Sequence, residues 1–374
     1  RERLRSMSYQ DFLREFAGMG PEALLFMKSD SYWAIDIDTL PAWVALWDGA
    51  PGTRALGFED RPEESVYFRF PDGNASIARL LVRSMIPAVA PGSTMEDVVT
   101  AKFDYNRLDE PGSATRIRLN STVVDVRHIG PAQEAQRVRI TYVQDGRARS
   151  VSAGRTVLAC YNSIIPHLCE TLPEAQKLAL SQSLKAPLIY TNVLIRNWKA
   201  FAKLGVNRVE CKGAYFSSIR LSTPISFGDY QHARSPDEPI VLHLYRNPLS
   251  PGLSAQEQWK AGRYELLSTT FEDFERNIRS QLGRVLSPGG FDPARDIEAI
   301  TVNRWPHGYA YGQNPETGEV AYLLDEVPAE KAPWIAGRQT FGRIAIANSD
   351  AAADAMTEGA IGEAHRAVMD LLSA

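Results

Sequence analysis

The sequence predicts a mixed α/β fold with α+β character, and three observations predict it. Ile344 to Ala347 is a short apolar run of the kind buried on both faces of a sheet, and it feeds a polar turn and then a helix from Met356 onward. Further strand-like runs, some alternating and some wholly apolar, are separated by stretches with helical spacing. The length, 374 residues, exceeds the usual single domain, so two domains or one elaborated domain is expected.

Composition bounds the function. Hydrophobic residues at 44% and charged residues at 23% fit a globular protein with a large core. The net charge of −4, from 41 basic and 45 acidic residues, leaves no electrostatic footprint for nucleic acid. Cys160, Cys169 and Cys211 lack CxxC spacing and histidine partners, which excludes a disulfide framework and a structural metal site. No run reaches the length of a membrane span, and Arg1 to Ser6 has no apolar h-region behind it, so neither a span nor a signal peptide is expected.

Taken in order, Tyr9, Phe12, Leu13 and Phe16 form one apolar face behind Ser8 as N-cap, and Gly18-Met19-Gly20 closes that helix before Pro21 starts another. The stretch GMGPEA mimics a dinucleotide fingerprint but follows a helix where the fingerprint must follow a strand. Ser31 to Gly57 holds Trp33, Trp43 and Trp47 with Asp36, Asp38 and Asp48. This is either a helix packing tryptophan on a core or the lining of a pocket for a cationic ligand. Tyr67 to Phe70 is strand-like, Pro71 to Asn74 a turn, and Ser76 to Met85 a helix. Ile117 to Val126 alternates as a strand, Arg137 to Val143 and Arg149 to Val151 flank the hairpin signal Asp145-Gly146, and Thr156 to Cys160 is a buried strand. With the closing strand these are expected to form one mixed layer.

Leu188 to Ile195 and Ile240 to Tyr245 read as strands. Glu257 to Leu286 reads as one long amphipathic helix. Ile297 to Trp305 is a strand that Pro306 to Tyr311 should break, and 312–338 is loop-like. The closing helix carries Ile361, Ala364, Val368, Leu371 and Leu372 at helical spacing. Its N-terminus presents unpaired N–H groups suited to an anionic ligand atom, and Gly359 and Gly362 permit close approach.

Chemistry concentrates in His307-Gly308-Tyr309-Ala310-Tyr311, the densest polar-aromatic cluster, where a histidine can shuttle protons and tyrosines orient or donate. No GxSxG elbow or nucleophile triad is present.

In this order the chain resembles the flavin-dependent amine oxidoreductases, the monoamine and polyamine oxidases, and within them the bacterial spermidine-dehydrogenase-like branch. The residues that carry the resemblance are FPDGNASIARLLVR (70–83), LNSTVVDV (119–126), TVLACYN (156–162), PLIYTNVLIRNW (187–198), ITVNRWPHGYAY (300–311), and FGRIAIANSD with MTEGAI (341–361). The resemblance implies an FAD-binding domain from 62–185 and 335–374, and a mixed-sheet substrate domain from 1–61 and 186–334. It places Asn348, Ser349 and Asp350 at the flavin and ribityl, and Met356 and Thr357 at the helix N-terminus facing the flavin N1–C2=O edge. Val123 falls at the adenine, and Phe70, Pro71, Asp72 and Gly73 beside the isoalloxazine.

Two departures stand out. The family's small-Gly-Glu is Ala347-Asn348-Ser349 here, leaving Asp350 as the neighbouring carboxylate. The lysine that holds a water at flavin N5 in many oxidases aligns with Asn192, which leans towards a dehydrogenase. The activity implied is oxidation of an amine, with a polyamine as one candidate, to an imine by hydride transfer to FAD. Trp305, Tyr309 and Tyr311 are the cage candidates, His307 the proton relay, and Asn192 an N5-side orienter. The family opens with a strand, a GxGxxG turn and a helix, the Rossmann unit, and nothing in this chain supplies it. A second polypeptide, or a segment outside these residues, is therefore expected to provide that unit. The setting implied is bacterial, periplasmic or cytoplasmic. Two alternatives stay open: a non-catalytic, partner-binding paralogue, and an L-amino-acid oxidase, which would call on Arg304 or Arg220 to grip a carboxylate.

Overall fold

The computed structural model describes residues 2–28, 34–57, 69–314, 320–321 and 327–373; Trp33 and the strand expected at Tyr67 and Phe68 lie outside them. Near the N-terminus, Ser8 caps the helix Tyr9–Phe16 by accepting from the Asp11 N–H. Tyr9, Phe12 and Leu13 are buried as their spacing requires, whereas Phe16 faces outward. These residues and the helix Ala42–Trp47 pack on Ala186, Trp259 and Tyr311, so the N-terminal segment covers one end of the large sheet.

The first sheet holds β1 (Thr122–His128), β2 (Val138–Gln144) and β3 (Arg147–Ala153), all antiparallel. Asp145 and Gly146 both take the left-handed conformation, φ 51° and 71°, which lets two residues join β2 to β3 with the strands' own twist. The strand expected from Ile117 starts only at Thr122. Asn120 turns left-handed (φ 51°), and Arg116 and Arg118 both grip Asp109, which pins that segment to a loop.

The second sheet runs β10–β9–β5–β8–β7–β6, antiparallel throughout. Its members are β5 (Leu184–Ile195), β6 (Arg208–Glu210), β7 (Ser218–Leu221), β8 (Ile240–Arg246), β9 (Ile297–Gln313) and β10 (Val320–Ala321). One face is apolar: Ile189, Val193, Leu242 and Leu244 pack on Phe274, Ile278 and Leu282. The helix expected over Glu257 to Leu286 is two, Ala255–Ser268 and Phe271–Leu286. Thr269 and Thr270 both take extended backbone between them, and the Thr270 hydroxyl accepts from the Asp273 N–H, a cap that competes with helix continuation.

β9 does not break at Pro306; it continues to Gln313 through a bulge. Trp305 pairs with Leu188 and Tyr309 with Ala186, so four steps along β9 face two along β5. The extra residues absorb a proline that cannot donate to the ladder. On β5 the register shifts across Pro187, outside the stretch that pairs with β8. The 312–338 stretch, expected as loop, holds β10 and a short helix, Pro333–Gly337.

β4 (Thr156–Leu158) and β11 (Ile344–Ile346) pair in parallel as a third sheet, so the single mixed layer expected with β1–β3 is in fact two sheets. All three β11 residues are buried. The closing helix, Thr357–Ser373, packs through Ala367 and Leu371 on Ala345 and Ala347. Of the apolar positions at helical spacing Leu371 is buried, whereas Ile361, Val368 and Leu372 are 58%, 49% and 62% exposed. The small alanines permit a close approach to β11 that the larger side chains would not. Beside them Glu363 is buried, paired with Arg338 and Arg366.

Candidate functional site

The site centres on a buried ion pair that joins the large sheet to the closing segment. Lys185, at the start of β5, places Nζ 2.6 Å from Asp350 Oδ1, with both side chains almost wholly buried. The other Asp350 oxygen accepts from the Asn162 N–H at 2.9 Å, so both oxygens of this carboxylate are engaged. Asn348 caps the short helix Ser349–Ala352 by accepting from the Ala351 N–H, and its amide donates to the Cys160 carbonyl and to Asn162 Oδ1. Asn162 in turn donates to Ser183 Oγ at 3.1 Å. A chain of polar contacts thus runs from the loop after β4 to the loop before β5 and holds Asp350 where β11 delivers it. Burying two charges is tolerable because each finds its partner and the remaining lone pairs are satisfied.

Aromatic rings close over the pair. Lys185 Nζ lies 4.9 Å from the Tyr161 ring centroid, and the His307 ring lies 5.1 Å from the same ring. The bulge in β9 turns His307 out of the ladder towards Tyr161, a use of bulges common near functional sites. Gly308 is required there: a Cβ would come 2.4 Å from Leu188 Cδ2 and 2.9 Å from the Ala186 carbonyl oxygen. Burial, then the Arg263 and Lys185 cations, holds the His307 imidazole below its ordinary value against the pull of Asp350, so it is neutral near pH 7. Burial, then the Asp350 charge, pushes the Tyr161 phenol up.

Two clefts open beside the pair and share Ser183 and Gln256. One, of about 370 Å³, reaches Asp350, Tyr311 and Trp334. The other, of about 430 Å³, lies between the helix Ala255–Ser268 and β5 and reaches Lys185, Arg263 and His307.

The residues expected at a cage part company. Tyr311 stacks on Trp259 at 4.9 Å inside the N-terminal core, and Trp305 is half-exposed beside Leu188. Tyr309 joins Tyr190 and Tyr245 instead: its hydroxyl lies 3.3 Å from that of Tyr190, whose ring is 5.0 Å from Tyr245. Burial first, and then the neighbouring phenols, keep Tyr309 and Tyr245 above the ordinary tyrosine range, so they act as neutral hydrogen-bonding groups. Asn192 lies mid-strand on the polar face of the sheet and its Oδ1 is 2.7 Å from His243 Nδ1. Burial, then Arg220, holds that imidazole below its ordinary value.

Among the residues expected at a cofactor, two distant segments meet: Asn74 Nδ2 donates to Thr357 Oγ1 at 2.8 Å, bringing Phe70 to Gly73 to the closing helix. Phe70 is buried edge-on against Phe227, and Asp72 accepts from Ser76 and pairs with Arg79. Ser349 opens the short helix, Met356 is exposed, and Val123 sits half-exposed on β1 in the separate antiparallel sheet. Arg304 and Arg220 are both exposed.

Lys185, Tyr161, Asn162, Arg263 and the Tyr190–Tyr245 pair went unnoticed in the sequence. A signal existed for one: Lys185 is a lone charge inside the apolar stretch Leu184 to Ile189.

No protein-family model matches the chain, and no curated protein matches it. Solved structures do. A putrescine oxidase variant from a redesign of its cofactor binding superposes with a TM-score of 0.55 at 13% identity. A triple variant from the same redesign gives 0.51 at 12%, and the wild type bound to putrescine 0.50 at 12%. Each match covers 100% of this chain and 69% of the other. At such identities the likeness is one of architecture: the chain has the amine oxidase fold seen in putrescine oxidase.

Proposed function

We propose that the chain is the substrate-bearing and closing part of an FAD-dependent amine oxidoreductase, of the spermidine-dehydrogenase-like kind, which oxidises an amine to an imine. In this reading 62–185 with 335–374 form the cofactor side, and 1–61 with 186–334 the substrate side. The observation that carries it is the meeting of Asn74 and Thr357, which sets the turn 70–73 against the N-terminus of the closing helix within an amine oxidase fold.

The residues fit the cofactor. Among the described residues, no hydrogen-bond partner is found for the N–H groups of Thr357, Glu358 and Gly359, so the first turn of a 17-residue helix offers free donors to an electron-rich ring edge. Gly362 faces open space, whereas Gly359, expected to permit close approach, already has the Asp354 carboxylate 2.8 Å from where its Cβ would stand. Thr357, with Phe70 to Gly73, would hold the group; bound there, FAD supplies the hydride acceptor. Asp350, with both oxygens engaged, positions β5 and the closing turn. His307, neutral and beside the Lys185–Asp350 pair, is the group here fitted to take or relay a proton from the substrate ammonium. The tyrosines at 190, 245 and 309 offer an apolar, hydrogen-bonding surface for an amine.

A dinucleotide-binding unit from outside these residues completes the site. Supporting this, β4 and β11 form a parallel pair with no further strand among the described residues, and Val157 of β4 is exposed. The exposed stripe Ile361, Val368 and Leu372 offers such a unit an apolar surface, which equally favours the second reading, a non-catalytic subunit that binds a partner. Flavin absorbance separates them. Purified with its native partners, the protein should carry bound FAD; a colourless complex that takes up no FAD on reconstitution sinks the enzymatic reading.

A further inference from the structure

Arg263 is unusual among the partly buried arginines of this chain. Arg83, Arg246, Arg338 and Arg366 each meet a carboxylate. Arg263 has, among the described residues, a single partner, the Lys185 carbonyl, to which Nη1 donates at 2.7 Å. Its remaining N–H groups have no protein acceptor among the described residues, although a guanidinium carries five donors. Burial alone pulls its pKa below the ordinary value, with no acid to offset it.

The cleft of about 430 Å³ that Arg263 lines has a lopsided charge. Lys185 is neutralised by Asp350, whose two oxygens are both engaged. Glu257, at the exposed first turn of the helix, is committed to a capping box with Ser254. His307 is neutral and feels Arg263 before Lys185 among its charged neighbours. Lys260, one turn from Arg263 on the same helix, is exposed and has no acid partner among the described residues. Two cations therefore face the cleft against one carboxylate, Glu257, whose capping-box partners are neutral.

We propose that this cleft binds the carboxylate of the substrate, on the open edge of Arg263 with Lys260 at the mouth, so that the substrate is a carboxylate-bearing amine and not a polycationic polyamine. The proposal rests on the amine-oxidising reading and narrows it. A planar guanidinium edge matches a carboxylate with two parallel charge-assisted hydrogen bonds. A diamine of two positive charges meets the Arg263 and Lys260 cations there, with Glu257 alone to offset them.

Matched probes test this by binding alone. Putrescine, 4-aminobutyrate and inorganic phosphate are titrated at low salt into the protein with its native partners, followed by calorimetry and by the emission of Trp259, which lines the cleft. 4-Aminobutyrate should bind about tenfold or more tightly than putrescine. R263Q should erase that preference, and K260Q, at an exposed position with no fold role, should reduce it severalfold. Equal or tighter binding of putrescine overturns the proposal. So does binding of phosphate without 4-aminobutyrate, or a preference that survives both variants. The two readings fail separately. A carboxylate preference in a protein that binds no flavin leaves this cleft standing and removes the enzyme; a flavoprotein that prefers putrescine does the reverse.

Discussion

Asp36 is 1% exposed, its Oδ2 has no hydrogen-bond partner among the described residues, and its Oδ1 accepts from the Ile37 N–H. Burial first, then the charge of Asp38, pushes this carboxyl up to about 7, against the pull of Lys28. The sign follows. The folded state holds the proton more tightly than the unfolded one, so the stability Asp36 contributes is complete below about pH 4 and is lost as pH rises through about 7. D36N, which keeps the acceptor for Ile37 without the charge, should gain on the wild type by about 1–3 kcal/mol in urea unfolding between pH 5 and pH 8. A wild-type-minus-variant difference that ignores pH removes the argument. A second test concerns Lys185. K185M strands a buried Asp350 and should cost about 3–5 kcal/mol, while K185M/D350L should recover most of that loss. If the double variant is as unstable as the single one, the cost lies in packing and not in an orphaned charge. Neither role was legible in the sequence, because both depend on partners 165 residues apart for the Lys185 pair, or on how deeply a loop is covered.

At the scale of elements, local chemistry was readable and tertiary competition was not. The Asp145-Gly146 hairpin, the Ser8 cap and the apolar β11 each follow from neighbours in sequence, and they stand where expected. The long helix over 257–286 failed because two threonines support a cap as well as they support a turn of helix. The break expected in β9 failed because Pro306 and Gly308 are the residues a bulge accommodates, and only the pairing with β5 decides between turn and bulge. That bulge is testable. In G308A the new methyl meets the flexible Leu188 side chain and also the Ala186 carbonyl, which cannot move without parting β9 from β5. The variant should lose about 1–3 kcal/mol. Its His307 should also titrate closer to the ordinary histidine value in NMR, since the ring would leave the Arg263 and Lys185 field. An unshifted His307 in a destabilised G308A would mean that the bulge supports the sheet without aiming the imidazole.

For the whole molecule, the informative element is the closing helix. Helical spacing picks out Ile361, Ala364, Val368, Leu371 and Leu372, and of these the helix buries Leu371, packing through it and Ala367, and leaves Ile361, Val368 and Leu372 facing outward. Burial within one chain is the usual fate of such a stripe, and periodicity cannot say whether the covering surface belongs to the same chain. Leu81, Met85 and Val157 are also exposed, and β4 and β11 present a parallel pair without further strands among the described residues. Covering half-exposed leucine and isoleucine side chains is worth about 1–2 kcal/mol each, enough to drive association at modest concentration. The chain by itself should therefore self-associate with rising concentration in sedimentation velocity. I361K/L372K should hold it monomeric, with an unfolding free energy within about 0.5 kcal/mol of the wild type, because both side chains already face solvent. The same variant should fail to recruit the unit that completes the flavin site and should purify colourless where the wild type does not. A variant that still assembles and still carries flavin would move the docking surface away from this helix, and a variant that unfolds would show that the stripe is core after all.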